Sequence, residues 1–308
     1  MDAEAASKRK QIGTGARLAL FGAAIAAVFA IASVAGAALD VGDGVEEQSN
    51  AHQEDEMGMT AEAGHADAEH TETAGAAPPG LAVADGGYRL VLDRDELRAG
   101  ERGTLAFRIV GADGATVSDF DTEHERRMHL IVVRRDLSNF QHVHPEQLAD
   151  GSWRIPLMLE EAGDYRVYAD FATGGESLTL AADVFVPGEF RPHPLPAERT
   201  VADAGHGYEV AISERDDDVL RFTVSRHGEP VEGVQPYLGA DGHLVVLRQG
   251  DGAFLHAHPL GEAGGSGPIE FMVSYPSAGN YRLFLQFKHD GEVHTAAFTK
   301  RGEGQPNV

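Results

Sequence analysis

Residues 128–145 read Met128-His129-Leu130-Ile131-Val132-Val133-Arg134, then Arg135-Asp136-Leu137-Ser138, then Asn139-Phe140-Gln141-His142-Val143-His144-Pro145. The string returns as Gly242-His243-Leu244-Val245-Val246-Leu247-Arg248, followed by Phe254-Leu255-His256-Ala257-His258-Pro259. The offset is 114 throughout: 129 to 243, 142 to 256, 144 to 258. Farther along, Ala162-Gly163-Asp164-Tyr165-Arg166 matches Ala278-Gly279-Asn280-Tyr281-Arg282 at an offset of 116, with the extra length in the Gly-rich loop 261–267. Tyr88 and Tyr208, each after a glycine, open the two copies. A period of this size with two copies is a duplicated domain rather than a solenoid.

Each copy reads as β-structure. Period-two alternation runs through Trp153, Ile155, Leu157 and Leu159, and through Ile269, Phe271, Val273 and Tyr275 at the matching places. Turn formers such as Asp150-Gly151, Gly174-Gly175 and Asp290-Gly291 separate the runs. About seven short strands per copy is the arithmetic of an immunoglobulin-like sandwich. The expected fold is therefore all-β, with tandem immunoglobulin-like β-sandwich domains at 86–190 and 206–300, a linker at 191–205 and a tail at 301–308. Tyr165 and Tyr281 are expected to pack or cap a turn, and Phe171 and Phe287 to lie in the cores.

The repeated histidines carry the chemistry. Four residues connect the strand at 129–134 to the next at 139–144, a usual hairpin loop. Pairing Arg134 with Asn139 sets His129 opposite His144 and His142 opposite Ile131. Opposite residues share a sheet face, as do i and i+2, so the three imidazoles converge at one end of one face. The same register in the second copy brings His243 and His258 together with His256. The expectation is two sites, His129/His142/His144 and His243/His256/His258, each suited to copper and secondarily to zinc. His124 is a further candidate in copy one, and His294 in copy two. His193, His206, His227 and His289 read as surface or linker residues.

Composition excludes other chemistries. Among 308 residues there is no cysteine, so disulfide scaffolds, thiol nucleophiles and thiolate metal sites are ruled out. A net charge of −24, with four lysines, argues against nucleic acid as a partner. No Gly-rich phosphate loop, serine nucleophile elbow or His-Glu-x-x-His motif is present. Glu146, a possible general base after His144, is replaced by Leu260 in the second copy. A binding protein, not an enzyme, is expected.

The N-terminal part reads as a membrane attachment. Lys8, Arg9, Lys10 and Arg17 precede an uncharged run from Leu18 to Leu39, long enough to cross a bilayer as a helix. Positive charge ahead of it places residues 1–17 in the cytoplasm and the rest outside. A cleaved signal peptide, with Ala35-Gly36-Ala37 as the cleavage site, is the alternative to an anchor at 18–39. Residues 40–85 have no Lys or Arg and hold twelve acidic residues, which reads as a disordered acidic linker. Its His52, Met57, Met59, His65 and His70 could gather metal loosely.

The strings Met128–Leu137 and Phe140–Pro145 resemble a group of actinobacterial secreted or membrane-anchored proteins labelled heavy-metal-associated. The Gly-rich opening and the Ala-Gly-x-Tyr-Arg strand are similar, more loosely, to extracytoplasmic immunoglobulin-like domains of the YtkA/FixH type. The resemblance implies a metal-related role outside the cytoplasm. The Cys-x-x-Cys chemistry of the cytoplasmic heavy-metal-associated fold does not carry over, because the chain lacks cysteine. The expected function is a single-pass, membrane-tethered extracytoplasmic protein that buffers or delivers copper. Its partners would be the cell membrane and a metal transporter or cuproprotein. The alternative is a metal-free cell-surface interaction module with structural histidines.

Overall fold

The computed structural model describes residues 78–304, apart from 217, 256, 262 and 266. The expected anchor at 18–39 and most of the acidic linker lie outside the described residues. Repeat one holds β1 (Ala84–Asp85), β2 (Tyr88–Leu92), β3 (Arg102–Val110), β4 (His129–Arg134), β5 (Gln141–Val143), β6 (Glu146–Gln147), β7 (Trp153–Met158), β8 (Gly163–Thr173) and β9 (Glu176–Val186). Repeat two holds β10 (Val201–Gly205), β11 (Tyr208–Asp216), β12 (Val219–Arg226), β13 (Glu229–Pro230), β14 (His243–Arg248), β15 (Phe254–Leu255), β16 (Ala257–Leu260), β17 (Ile269–Val273), β18 (Ala278–His289) and β19 (Glu292–Glu303). No α-helix occurs among the described residues, so none there is long and apolar enough to cross a membrane.

Each repeat is a sandwich of two antiparallel sheets. In repeat one the sheets run β1-β2-β3-β7-β6 and β5-β4-β8-β9; in repeat two they run β10-β11-β12-β17-β16, with β13 beside β12, and β15-β14-β18-β19. This is the immunoglobulin-like architecture expected from the strand count. Both repeats also carry the tyrosine corner of such domains. The Tyr165 hydroxyl donates to the Glu161 carbonyl (2.9 Å), and the Tyr281 hydroxyl to that of Ser277 (2.8 Å). Phe171 and Phe287 are core residues, as expected.

The hairpin carrying the histidines is held by a buried arginine. Arg134, 1% exposed, pairs with Asp136 (2.8 Å) and Glu161 (2.5 Å) and donates to the Ala162 and Arg191 carbonyls. A buried charge is tolerated when it is fully paired in this way. In repeat two Arg248 does the same with Asp251 and the Ser277 hydroxyl.

β4 is buried at all six positions, and the alternation divides them. Leu130 and Val132 enter the core of repeat one, whereas Ile131 and Val133 join a third cluster. β14 repeats the pattern: Leu244 and Val246 face inward, Val245 and Leu247 outward into the same third cluster. That cluster is the junction of the repeats, where the outer faces of the β4 and β14 sheets meet. Its contacts are reciprocal. Phe140 of repeat one stacks on Phe284 of repeat two at 4.0 Å and 7°, while Phe254 of repeat two lies 5.8 Å from Tyr168 of repeat one. Such exchange of equivalent residues is the mark of a two-fold, isologous interface, here within one chain.

The chain is ordered farther outward than its composition suggests. Residues 78–85, expected as part of the disordered linker, lie across the junction instead. Pro79 accepts from the Phe254 amide (3.0 Å), Gly80 donates to the Thr179 carbonyl (3.0 Å), and Arg166 donates to the Gly80 and Leu81 carbonyls. Gly80 has φ +72° and a Cβ there would come within 2.8 Å of the Tyr168 ring, so the close crossing needs glycine. Val201–Gly205, expected in the inter-repeat linker, forms strand β10 against β11, and the expected tail begins inside β19. In both cases backbone pairing with a neighbouring strand outweighs a weak apolar pattern.

Replacing Phe284 by Ala is expected to cost about 3–5 kcal/mol, read from urea denaturation of the full chain. Because Phe140 stacks on it, adding Phe140→Ala should cost less than the sum of the two separate losses.

Candidate metal centre

The hairpin forms in the expected register: Leu130 faces Val143, Ile131 faces His142, and Val132 faces Gln141. His129 and His142 thus share the outer face with Ile131 and Val133. His144 follows directly after β5, its Nε2 3.3 Å from His129 Nδ1. This outer face meets repeat two, and His243 stands at the start of β14 in the facing sheet. The His243 ring stacks on those of His142 (4.8 Å, 30°) and His129 (5.6 Å, 7°). Ligand nitrogens of His129, His142 and His243 all lie within 4.8 Å of one another. The residues expected to form two separate triplets therefore contribute to one composite centre, with three imidazoles from repeat one and one from repeat two.

The ring protons can be placed from the acceptors around them. His129 Nε2 lies 3.2 Å from the Glu123 carbonyl, which can only accept, so Nε2 carries the proton and Nδ1 the lone pair. His142 Nδ1 lies 2.7 Å from Gln286 Oε1, and the Gln286 Nε2 donates to the Thr295 hydroxyl (3.3 Å). With Gln286 Oε1 toward His142 the ring is protonated on Nδ1; with the amide turned, its proton sits on Nε2 and is donated to His129 Nδ1. His129 Nδ1 lies 3.1 Å from His142 Nε2 and 3.3 Å from His144 Nε2, so a proton or a cation can be held among the three nitrogens. Nitrogens bound to one ion at about 2.05 Å are separated by about 2.9 Å at a right angle and about 3.3 Å at the tetrahedral angle. The repeat-one distances of 3.1 and 3.3 Å fall in that span, as they do in that of a hydrogen bond, and with His243 the group extends to 4.8 Å. Metal-binding histidines characteristically donate their other ring N–H to a carbonyl or amide oxygen, as His129 does here, and His142 with Gln286 Oε1 toward it.

His124 borders this centre from the solvent side. Glu123 and Arg126 exchange two backbone hydrogen bonds of 2.9 Å, closing a two-residue turn. Its central residues, His124 and Glu125, have φ of 46° and 63°, the positive values of a type I′ turn that usually takes Asn-Gly. Holding non-glycine residues there costs roughly 1–3 kcal/mol each. The turn is anchored to the β8–β9 hairpin by the Ser177 hydroxyl on Glu123 (2.6 Å) and the Gly175 amide on Asp121 (3.0 Å). The exposed His124 ring lies 5.8 Å from His243 and 6.1 Å from His129.

The second expected triplet is not assembled. His256 lies outside the described residues. His258 is exposed on β16, paired with Met272 in the opposite sheet, and so is parted from His243. A difference in backbone donors accompanies this. The Val273 amide donates to Asp218 on the β12 side, so alternation turns the Met272 N–H toward β16. Repeat one has Pro156 in that position, without an N–H to donate, so β6 starts only at Glu146 and His144 stays with the outer face. His294 sits elsewhere too, packed on Tyr208 at 4.2 Å and near His206. Gln286 was not singled out from sequence; the signal was its replacement of Asp170, the matching residue of repeat one.

The sequence matches the family of a domain of unknown function (DUF8832) twice, over residues 82–188 and 202–304. The chain belongs to the DUF8832 family. No curated protein matches it. Among solved structures, this DUF8832 chain is similar to the Escherichia coli adhesin FdeC, at 16% identity and a TM-score of 0.26, with 70% of this chain and 65% of that chain covered. It is also similar to a two-domain fibronectin type III segment of chicken tenascin, at 11% identity and a TM-score of 0.21, covering 69% of this chain and 97% of that one. The chain thus spans just under two thirds of the adhesin structure, and likeness at these values carries no functional content.

In the DUF8832 centre all four clustered rings are held neutral. Burial, reinforced by His129 and His144, pushes His142 down to about 3, and burial together with His129 and Arg126 pushes His144 down to about 4. Burial also lowers His129, against the opposing pull of Asp170, and burial among the other rings takes His243 well below its ordinary value. Between the folded values and the unfolded value near 6.5 the unfolded chain binds more protons, so stability falls as pH drops through that window. The urea midpoint of the metal-free chain is expected to fall between about pH 7 and about pH 5. Replacing His142 and His144 by Gln should flatten that slope, and a slope unchanged by the substitutions would contradict the burial of neutral imidazole.

Proposed function

We propose that this protein binds one copper ion, with zinc as the second fit, at the His129/His142/His144/His243 centre between its repeats. It would do so as a membrane-tethered extracytoplasmic buffer or delivery protein. The carrying observation is the convergence of ligand nitrogens of His129, His142 and His243 within 4.8 Å of one another, with His129 Nδ1 3.1 Å from His142 Nε2 and His144 alongside. An all-imidazole donor set suits copper and zinc alike. The neutral rings are ready to bind without losing a proton. The basic residues ahead of the apolar run 18–39 support placement outside the cytoplasmic membrane. A metal transporter or a cuproprotein is the matching partner class, in keeping with the metal label of the proteins the repeats resemble.

A second reading, a metal-free interaction module, is favoured by the apolar junction itself. Phe140, Phe284, Tyr168 and Phe254 join the repeats without any ion.

Titration of the full chain with copper(II) or zinc(II) separates the two. Wild type is expected to bind one tight ion more than His142→Ala. Gln286→Leu, which removes only the acceptor orienting His142, should weaken that ion by about 10–100-fold. Equal tight stoichiometry in wild type and His142→Ala, together with a melting temperature unmoved by chelator, would establish the metal-free reading.

A further inference from the structure

We propose that His124 is the exchange ligand of this centre, the imidazole through which the ion passes between solvent or a partner and the four clustered histidines. The inference rests on the metal-binding reading above and adds a route and a division of labour to it. Three observations carry it. First, His124 differs from the other histidines of the cluster in exposure: it lies at the surface, whereas His129 is 2% and His142 9% exposed. Second, its ring is centred 5.8 Å from that of His243 and 6.1 Å from that of His129. Third, its backbone is held at positive φ in a turn whose flanks are fixed, by the Ser177–Glu123 and Gly175–Asp121 bonds and by the bond from His129 to the Glu123 carbonyl. Positive φ belongs to this turn in both repeats, Leu238 holding the equivalent place at φ 57°; what repeat one adds there is an imidazole.

The chemistry is ligand substitution. A metal–nitrogen bond forms at His124 as a bond to an incoming or departing ligand breaks. The ion keeps its oxidation state and a neutral imidazole releases no proton. An ion held by His129 and His142, the two buried rings, would exchange slowly through them alone, because it would have to shed ligands before meeting others; His144 and His243 are half-buried. One exposed imidazole above the set allows the bonds to be traded singly. Repeat two has no counterpart: the residue at the matching offset of 114 is Leu238. The route therefore opens on the repeat-one side of the junction.

The test is the transfer of copper(II) from the loaded full chain to EDTA, followed by loss of the copper d–d absorption in the phase that His142→Ala lacks. His124→Ala, and separately His124→Asn with Glu125→Gly, which restores the preferred turn without the imidazole, should both slow that phase about tenfold or more. The equilibrium affinity should stay within about threefold of wild type. Unchanged rates in both variants, with wild type still binding, would overturn the exchange role and leave the metal centre standing. Affinity lost as completely as in His142→Ala would also overturn it, by making His124 a permanent ligand. A wild type without the His142-dependent phase would overturn the metal centre and this role with it.

Discussion

A β-sheet apolar on both faces must be covered on both, and this requirement organises the molecule. The β5-β4-β8-β9 sheet covers one face with its own partner sheet. The other presents Ile131, Val133 and Tyr168, all within 1% of full burial. Only another apolar sheet of similar shape can cover it, and repeat two supplies that sheet through Val245, Leu247 and Phe284. The junction is thus a third core shared by the repeats. The crossing of residues 78–85 seals its rim, and Tyr168 ties it to repeat two by donating to the Gly252 carbonyl at 2.6 Å.

The histidines take their character from that junction. They stand where an apolar interface ends, so they lose water, and at His129 that loss outweighs the pull of Asp170, which keeps the imidazole neutral. A neutral ring has one donor and one acceptor nitrogen, and the neighbours decide which faces inward. The Glu123 carbonyl takes the outward proton of His129, and the Gln286 amide lies against His142. What faces the centre is a set of ring nitrogens, His129 Nδ1 lying 3.1 Å from His142 Nε2 and 3.3 Å from His144 Nε2.

Much of this was legible in the sequence. The hairpin loop length and side-chain period set the register of both histidine hairpins, and the observed pairings Ile131–His142 and Val246–Leu255 agree with it. The repeat arithmetic and the alternation located both sandwiches. What the period could not say is what covers a face. It put His129 and His243 on equivalent outer faces but could not reveal that those faces meet, so two sites were expected where one composite centre stands. The departure of His258 accompanies a difference between the repeats, Pro156 against Met272; comparison for likeness passes over such positions. Residues 78–85 read as linker because their order comes from backbone bonds to distant strands, which composition does not encode.

Covalent duplication has a consequence at Asp170 and Gln286. Each lies opposite the first histidine of its repeat, His129 or His243, and each bonds a threonine on the next strand, Thr179 or Thr295. In a dimer of identical single repeats these positions would have to carry the same residue, and the two halves of the junction would have equal charge. Joined in one chain, they are free to differ: an anion on one side, a neutral amide on the other. The fused pair therefore has a polarity across its pseudo-two-fold axis that no symmetric assembly of identical repeats could possess, and the order of the repeats along the chain sets its direction.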